Sequence, residues 1–379
     1  MPMITRRQLL KLGAGASVAL FLPQGCRSLL ERISPLAPAS STTAAISPLS
    51  PPPTPTAEIS PTATAAPQIK LKPPNGGSKI GLHVVLGPRD GLDEFLSRCA
   101  QTGHPVVLVK CVDDFEAAFK AKHYSKTTLA VGRVNAVRLT NKNFVDMQAW
   151  EPPDYHPPVE FQYTTAQEAA QQYYDLVKPI WKLNPVVDVW ETFNEFSWHW
   201  EWQADFYIAL MDLAEADGHR LGLWSPSAGN PPEAFYSAVV RTCQRAKAHG
   251  NHIMCLHEYN LDGLLKDAPS SMVTRYRRLY QFLAQQDAVI PLVISEAGEN
   301  AGGGFSGIET FMQDFAWYDR QLSHDDYVIG CAAWTLGDWN GANFQAALPA
   351  LGDYISGEYV IRHYPPRAYL PLIELDQSQ

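Results

Sequence analysis

The chain has 379 residues, 46% hydrophobic and 11% aromatic, with 30 basic and 39 acidic side chains for a formal net charge of −9. This is enough apolar material for a large buried core, unlike a disordered or disulfide-scaffolded chain, and no apolar run approaches the ~20 residues of a membrane-spanning helix. The acidic balance argues against a nucleic-acid partner held through phosphate contacts, while length alone leaves room for two domains of about 150 residues.

The first 26 residues read as an export signal and not as part of the fold. Arg6-Arg7 precedes an apolar stretch that ends in Pro23-Gln24-Gly25-Cys26, and no acidic residue occurs before Glu31. The arginine pair with Lys11 resembles a twin-arginine signal, which carries folded proteins across the bacterial inner membrane; an ordinary secretory signal is the alternative. Gly25-Cys26 resembles a lipoprotein attachment site, although Pro23 and Gln24 depart from its usual residues, so lipidation of Cys26 and simple cleavage both stay open. The expected location is extracellular or at the cell surface, with a lipidated Cys26 as the membrane tether.

Residues 27–75 are expected to be a disordered linker. Between Ser34 and Pro67 there are nine prolines and twelve serines or threonines, no aromatic residue and one charge, Glu58. Such a stretch cannot bury enough apolar surface to offset its ordering entropy, and it serves as a partly polyproline-like spacer. Removing Arg6, Arg7 and Lys11 with the signal takes the net charge from −9 to −12.

Residues 76–379 alternate short apolar runs with amphipathic segments. Strands are predicted at 80–86, 105–111, 127–133, 186–193, 220–224, 252–257, 290–295 and 328–334. Thr165 and Glu168 make a capping box for a helix over 169–182, and Gly218 and Gly250 stop the helices that begin near Gln203 and Pro232. Eight strands, most followed by a helix, favour a (β/α)8 TIM barrel over an open sheet. The long stretch 134–163 and a short or irregular last helix fit less well; the former carries Trp150, Asp154, Tyr155 and His156.

A barrel places its chemistry at the C-terminal ends of the strands. There the sequence offers His83, Arg133, Asn194-Glu195, His257-Glu258-Tyr259, Glu296 and Trp334. Glu195 and Glu296 would be two carboxylates on one rim, and paired carboxyl groups are what most glycosidic-bond cleavage uses. Asn194 suits a sugar hydroxyl, His257 and Tyr259 share a strand face from which to hold Glu296 ionised, and Trp334 suits ring stacking.

These residues, in this order and on these strands, resemble clan A of the glycoside hydrolases over about residues 78–365, and within it the family 5 cellulase-like enzymes. The family's arginine and histidine at the second and third strand ends are replaced by Lys110 and Arg133, so a divergent relative, near families 39 and 42, is equally compatible. The resemblance implies a retaining mechanism in which Glu195 is acid/base and Glu296 nucleophile. The expected substrate is a β-linked poly- or oligosaccharide.

Other residues carry two readings. Arg133 is either a sugar contact or a salt bridge beneath the rim; His257 is a site residue or a satisfied core histidine. Glu299 competes with Glu296 but lies in a glycine-rich loop, and Glu258 alternates away from the site. Trp198, Trp200 and Trp202 form either a stacking surface or helix packing, and Trp339, among turn residues, is a candidate for the rim. Substrate contacts are therefore expected from His83, Arg133, Asn194, Trp198, His257, Tyr259, Trp334 and Trp339. The cysteines show no C-x-x-C spacing; Cys255 and Cys331 read as buried thiols. No metal or other cofactor is expected, His83 and His257 being too few for a zinc site. The domain is expected to act as a monomer. Two other functions compete: a non-catalytic carbohydrate-binding surface protein, and a metal-dependent barrel hydrolase.

Overall fold

A computed structural model describes residues 69–134 and 165–361, except 198, 338 and 340. The expected signal, Cys26, most of the linker, Trp198 and the side chains of Trp150, Asp154, Tyr155 and His156 lie outside the described residues.

Eight parallel strands close into a barrel: β2 (Ile80–Val84), β3 (Leu108–Val112), β4 (Leu129–Arg133), β5 (Val189–Glu191), β6 (Leu221–Trp224), β7 (Ile253–Tyr259), β8 (Leu292–Gly298) and β9 (Val328–Leu336), each bonded to the next and β9 back to β2. All eight overlap the predicted runs, with β3, β7, β8 and β9 continuing past the predicted ends. Helices α1 (Leu92–Gln101), α2 (Glu116–Tyr124), α3 (Ala166–Leu183), α4 (Trp200–Ala216), α5 (Tyr236–His249), α6 (Tyr276–Gln285), α7 (Ile308–Ser323) and α8 (Leu348–Ile355) intervene or follow. This is the (β/α)8 barrel.

Local chemistry sets the helix ends. Thr165 accepts from the Glu168 backbone while Glu168 reaches back to Thr165, so the capping box opens α3. Gly218, at φ 76°, turns the chain out after α4. Gly250 also ends its helix, but in extended conformation (φ −142°). One expectation needs correction: the linker does not run unbroken to residue 75, because β1 (Ile69–Leu71) pairs antiparallel with β10 (Tyr359–Ile361). Alternating Ile-Lys-Leu supplies a strand face, and Lys70 and Lys72 both reach Glu358.

The barrel interior begins as an apolar plug of Leu108, Val131, Val189, Ile253, Cys255, Val293 and Ala332. Because side chains of a strand repeat by two, the next inward positions toward the C-terminal end are Lys110, Arg133, Glu191, His257 and Trp334. A polar layer therefore lies directly on the apolar one. On β8 the inward residue is Glu296, three positions after Val293. A register shift makes this possible, since Leu256 pairs with Ile294 but His257 with Glu296, and the extra residue reverses the alternation. A larger core of apolar side chains fills the space between barrel and helices.

Candidate active site

Glu296 is the centre of the polar layer. It is 3% exposed. Its Oε1 accepts from Lys110 Nζ at 2.9 Å and from Arg133 Nη1 at 3.1 Å, with His83 Nε2 at 3.5 Å; its Oε2 accepts from the Tyr259 hydroxyl at 2.9 Å, with His257 Nδ1 at 3.4 Å. Five side chains from β2, β3, β4 and β7 thus converge on one carboxylate.

Glu195 lies at the mouth, its side chain 35% exposed, with Oε1 3.3 Å from the same His257 Nδ1. It follows β5 in left-handed conformation, φ 53°, and its N–H donates to the Ser225 carbonyl at 2.9 Å. Ligand-type atoms of Glu195, His257 and Glu296 all lie within 4.8 Å of one another.

The charges follow from these contacts. Burial alone would favour protonated Glu296, but His257, Lys110, Arg133 and the His83 contact outweigh it and hold the carboxyl well below its ordinary value. Burial pushes His83 down to about 4, so its imidazole is neutral at pH 7. Burial, followed by the Glu296 and Glu195 charges, pushes the Tyr259 hydroxyl well up and keeps it a donor. The spacing of Glu195, His257 and Glu296 would admit a divalent cation. Lys110 and Arg133 on the same Glu296 oxygen oppose a further positive charge there.

The expected residues thus divide. His83, Arg133, His257, Tyr259 and both glutamates gather in one cluster, and Arg133 makes a salt bridge to Glu296 itself. Trp334 joins through its rings, 4.3 Å from His83 and 6.0 Å from Tyr259, with its Nε1 donating to the Gly302 carbonyl at 3.0 Å. Trp339 is 44% exposed and stands edge-on to Trp334 at 5.6 Å. Asn194 is half-buried, its Oδ1 buried and without a hydrogen-bond partner. Trp200 and Trp202 do not line the mouth: the first packs on Trp224 and Phe235, the second on Phe206, and both belong to helix packing. Glu299 accepts from the Ser306 N–H away from the cluster. Glu258 points outward, bonded to the Thr274 N–H and the Tyr318 hydroxyl.

Two members of the cluster are not among the site residues expected from the sequence. Lys110, there only a departure from a family pattern, touches Glu296, and Glu191 lies with its Oε2 2.7 Å from Lys110 Nζ. The signal was present, for both charges sit two residues beyond apolar inward positions in otherwise apolar strands, Leu108-Val109-Lys110 and Val189-Trp190-Glu191.

No protein-family model and no curated protein matches the sequence. Among solved structures, a modular endo-β-1,4-mannanase from Cellulomonas fimi is similar over 74% of this chain and 70% of its own, at 14% identity and a TM-score of 0.43. A broad-specificity endoglucanase from an uncultured bacterium is similar over 78% of this chain and 97% of its own (11%, 0.41). The β-mannanase of Thermomonospora fusca covers 73% and 87% (13%, 0.39).

Proposed function

We propose that this protein is an exported retaining glycoside hydrolase acting on a poly- or oligosaccharide, with Glu296 as nucleophile and Glu195 as acid/base. The observation that carries the reading is the close approach of the two carboxyl groups, within 4.8 Å atom to atom. Retaining enzymes hold their pair about 5–5.5 Å apart, whereas inverting ones leave roughly 6.5–9.5 Å for a water.

The environments suit the two roles. Glu296 is buried, ionised and oriented by Lys110, Arg133 and Tyr259, as an attacking carboxylate requires. Glu195 is partly open to solvent at the mouth, where a leaving group departs and water enters. In the first step Glu296 attacks the anomeric carbon while Glu195 protonates the departing oxygen; in the second, Glu195 takes a proton from water, which displaces Glu296. Trp334 offers an apolar face to the sugar ring, and the half-buried Asn194 an amide that suits a sugar hydroxyl. The twin-arginine signal and a lipid on Cys26 complete the proposal; fatty-acid labelling of the wild type and of Cys26→Ser tests the anchor.

The decisive experiment assays the exported domain on aryl glycosides. Glu296→Ala should abolish turnover. Glu195→Ala should slow substrates with poor leaving groups far more than those with good ones, because only the former need a proton. Retained turnover in Glu296→Ala would sink the assignment, and saccharide binding without turnover in the wild type would make the protein a carbohydrate-binding scaffold.

A further inference from the structure

The polar layer that holds Glu296 contains a second carboxylate that the proposed mechanism does not use. Glu191, at the end of β5, is fully buried in the barrel. Its Oε2 forms an ion pair with Lys110 Nζ at 2.7 Å, and the same Nζ lies 2.9 Å from Glu296. Arg133 lies 3.1 Å from Glu296 and 4.0 Å from Glu191. Two cations are thus set against two anions in the polar layer, with Lys110 bridging the pair.

Glu191 occupies a place built for it. On the neighbouring strand Gly222 leaves the room: a Cβ there would stand 3.0 Å from Glu191 Cγ and 2.7 Å from Cys255 Sγ. Just beyond β6, Ser225 adopts φ 53°, costly for a residue other than glycine. In that conformation its Oγ donates to Glu191 Oε1 at 2.9 Å, its carbonyl accepts from the Glu195 N–H at 2.9 Å, and its own N–H donates to the Cys255 carbonyl at 2.9 Å. One residue therefore touches the support of Glu296 and the backbone of Glu195.

We propose that Glu191 and Ser225 are positioning residues that fix the two reacting carboxylates relative to each other, Glu191 through Lys110 and Ser225 through the Glu195 backbone. The proposal rests on the retaining reading of Glu195 and Glu296 and adds to it a charge balance. Without Glu191, Lys110 and Arg133 would both bear on Glu296 alone, drawing the carboxylate toward themselves and making it a poorer nucleophile. A buried ion pair that merely stabilised the barrel would need neither the strained serine nor its bond to the acid/base residue.

The test uses crystal structures and kinetics of Glu191→Gln and Ser225→Ala. In Glu191→Gln, Lys110 should shift toward Glu296 and the spacing between Glu296 and Glu195 should open. Its kcat should fall about 100-fold, the scale of a misplacement near 1 Å, with KM little changed and the acid limb of kcat/KM moved to lower pH. Ser225→Ala removes the Oγ bond to Glu191 but keeps the carbonyl that holds Glu195, and it should open the same spacing and lower kcat less strongly. It leaves every charge in place, so it carries the test if Glu191→Gln does not fold. The double variant Glu191→Gln/Lys110→Gln should recover part of the kcat lost by Glu191→Gln, because charge balance returns. Unmoved Lys110 and Glu296 in both single variants, or a lowered Tm with unchanged kcat and pH profile, would overturn the proposal. If the wild type cleaves no glycoside, the retaining reading fails by itself, and the crystal structures alone decide the positioning claim.

Discussion

Glu258 and Glu296 stand on neighbouring barrel strands, almost in register: His257 pairs with Glu296 and Glu258 with Ala297. Both are buried, 2% and 3% exposed, yet they ionise in opposite directions. Glu296 faces inward among Lys110, Arg133 and His257, and stays charged far into the acid range. Glu258 faces outward, where it meets the Tyr318 hydroxyl and the backbone N–H groups of Thr274, Arg275 and Tyr276. Burial pushes it up to about 7, and those neutral donors recover only part of the cost. Depth of burial is the same, so the sign of the neighbours decides. The inward carboxylate keeps the charge that the proposed nucleophile needs, and the outward one fastens the loop that leads into α6.

The largest effect that can break this contrast is at Glu296 itself. Glu296→Ala should cost on the order of 10⁴-fold or more in turnover of aryl glycosides, whereas Glu258→Gln should leave kcat nearly unchanged. Comparable losses at both would mean that the inward cluster has no special part in the chemistry. Next is Lys110→Met, which leaves Glu191 and Glu296 to face each other with one cation fewer. Breaking a buried pair from one side costs about 3–5 kcal/mol; chemical denaturation should show that loss, and the acid limb of kcat/KM should move to higher pH as Glu296 becomes easier to protonate.

A smaller effect appears in the pH dependence of stability. An unfolded glutamate ionises near 4.5, but Glu258 in the fold keeps its proton up to about 7. Between these values the folded state binds more protons than the unfolded one, so the contribution of Glu258 is complete below pH 4.5 and is lost as pH rises through about 7. The total is roughly 3 kcal/mol. Other groups titrate in this window, so the readout is the difference between wild type and Glu258→Gln: the variant should lose stability less steeply with rising pH, and parallel curves would refute the assigned cause.

The outward region was largely legible in the sequence, and the inward one only in part. Apolar runs spaced by capped helices expose eight strands because hydrophobic period and turn chemistry are local properties. Glu258 could be assigned outward by alternation from His257 and Tyr259. Alternation fails on β8, where the shift before Glu296 reverses the face, and only pairing with the neighbouring strands β7 and β9 reveals it. Lys110 and Glu191 meet across two strands separated by long sequence, so their charge pairing is invisible to any window along the chain. The tryptophans after β5 were ambiguous for the same reason, since which face of α4 meets the barrel is a matter of packing.

The smallest effect concerns how far the inward site extends toward solvent. Trp334 is braced by its bond to Gly302 and its contact with His83, so its position follows from the barrel. Trp339 touches it edge-on and is the more exposed of the two. A sugar chain lying on Trp334 and continuing outward would meet Trp339 next, an aromatic contact worth about 0.5–1.5 kcal/mol. Trp339→Ala should therefore raise KM by a factor of about 2–12 for oligosaccharides, leave kcat nearly constant, and not affect an aryl monosaccharide too short to reach it. A fall in kcat for the short substrate as well would assign Trp339 a different part, that of holding Trp334 in place, and would extend the cluster proposed for catalysis outward to Trp339.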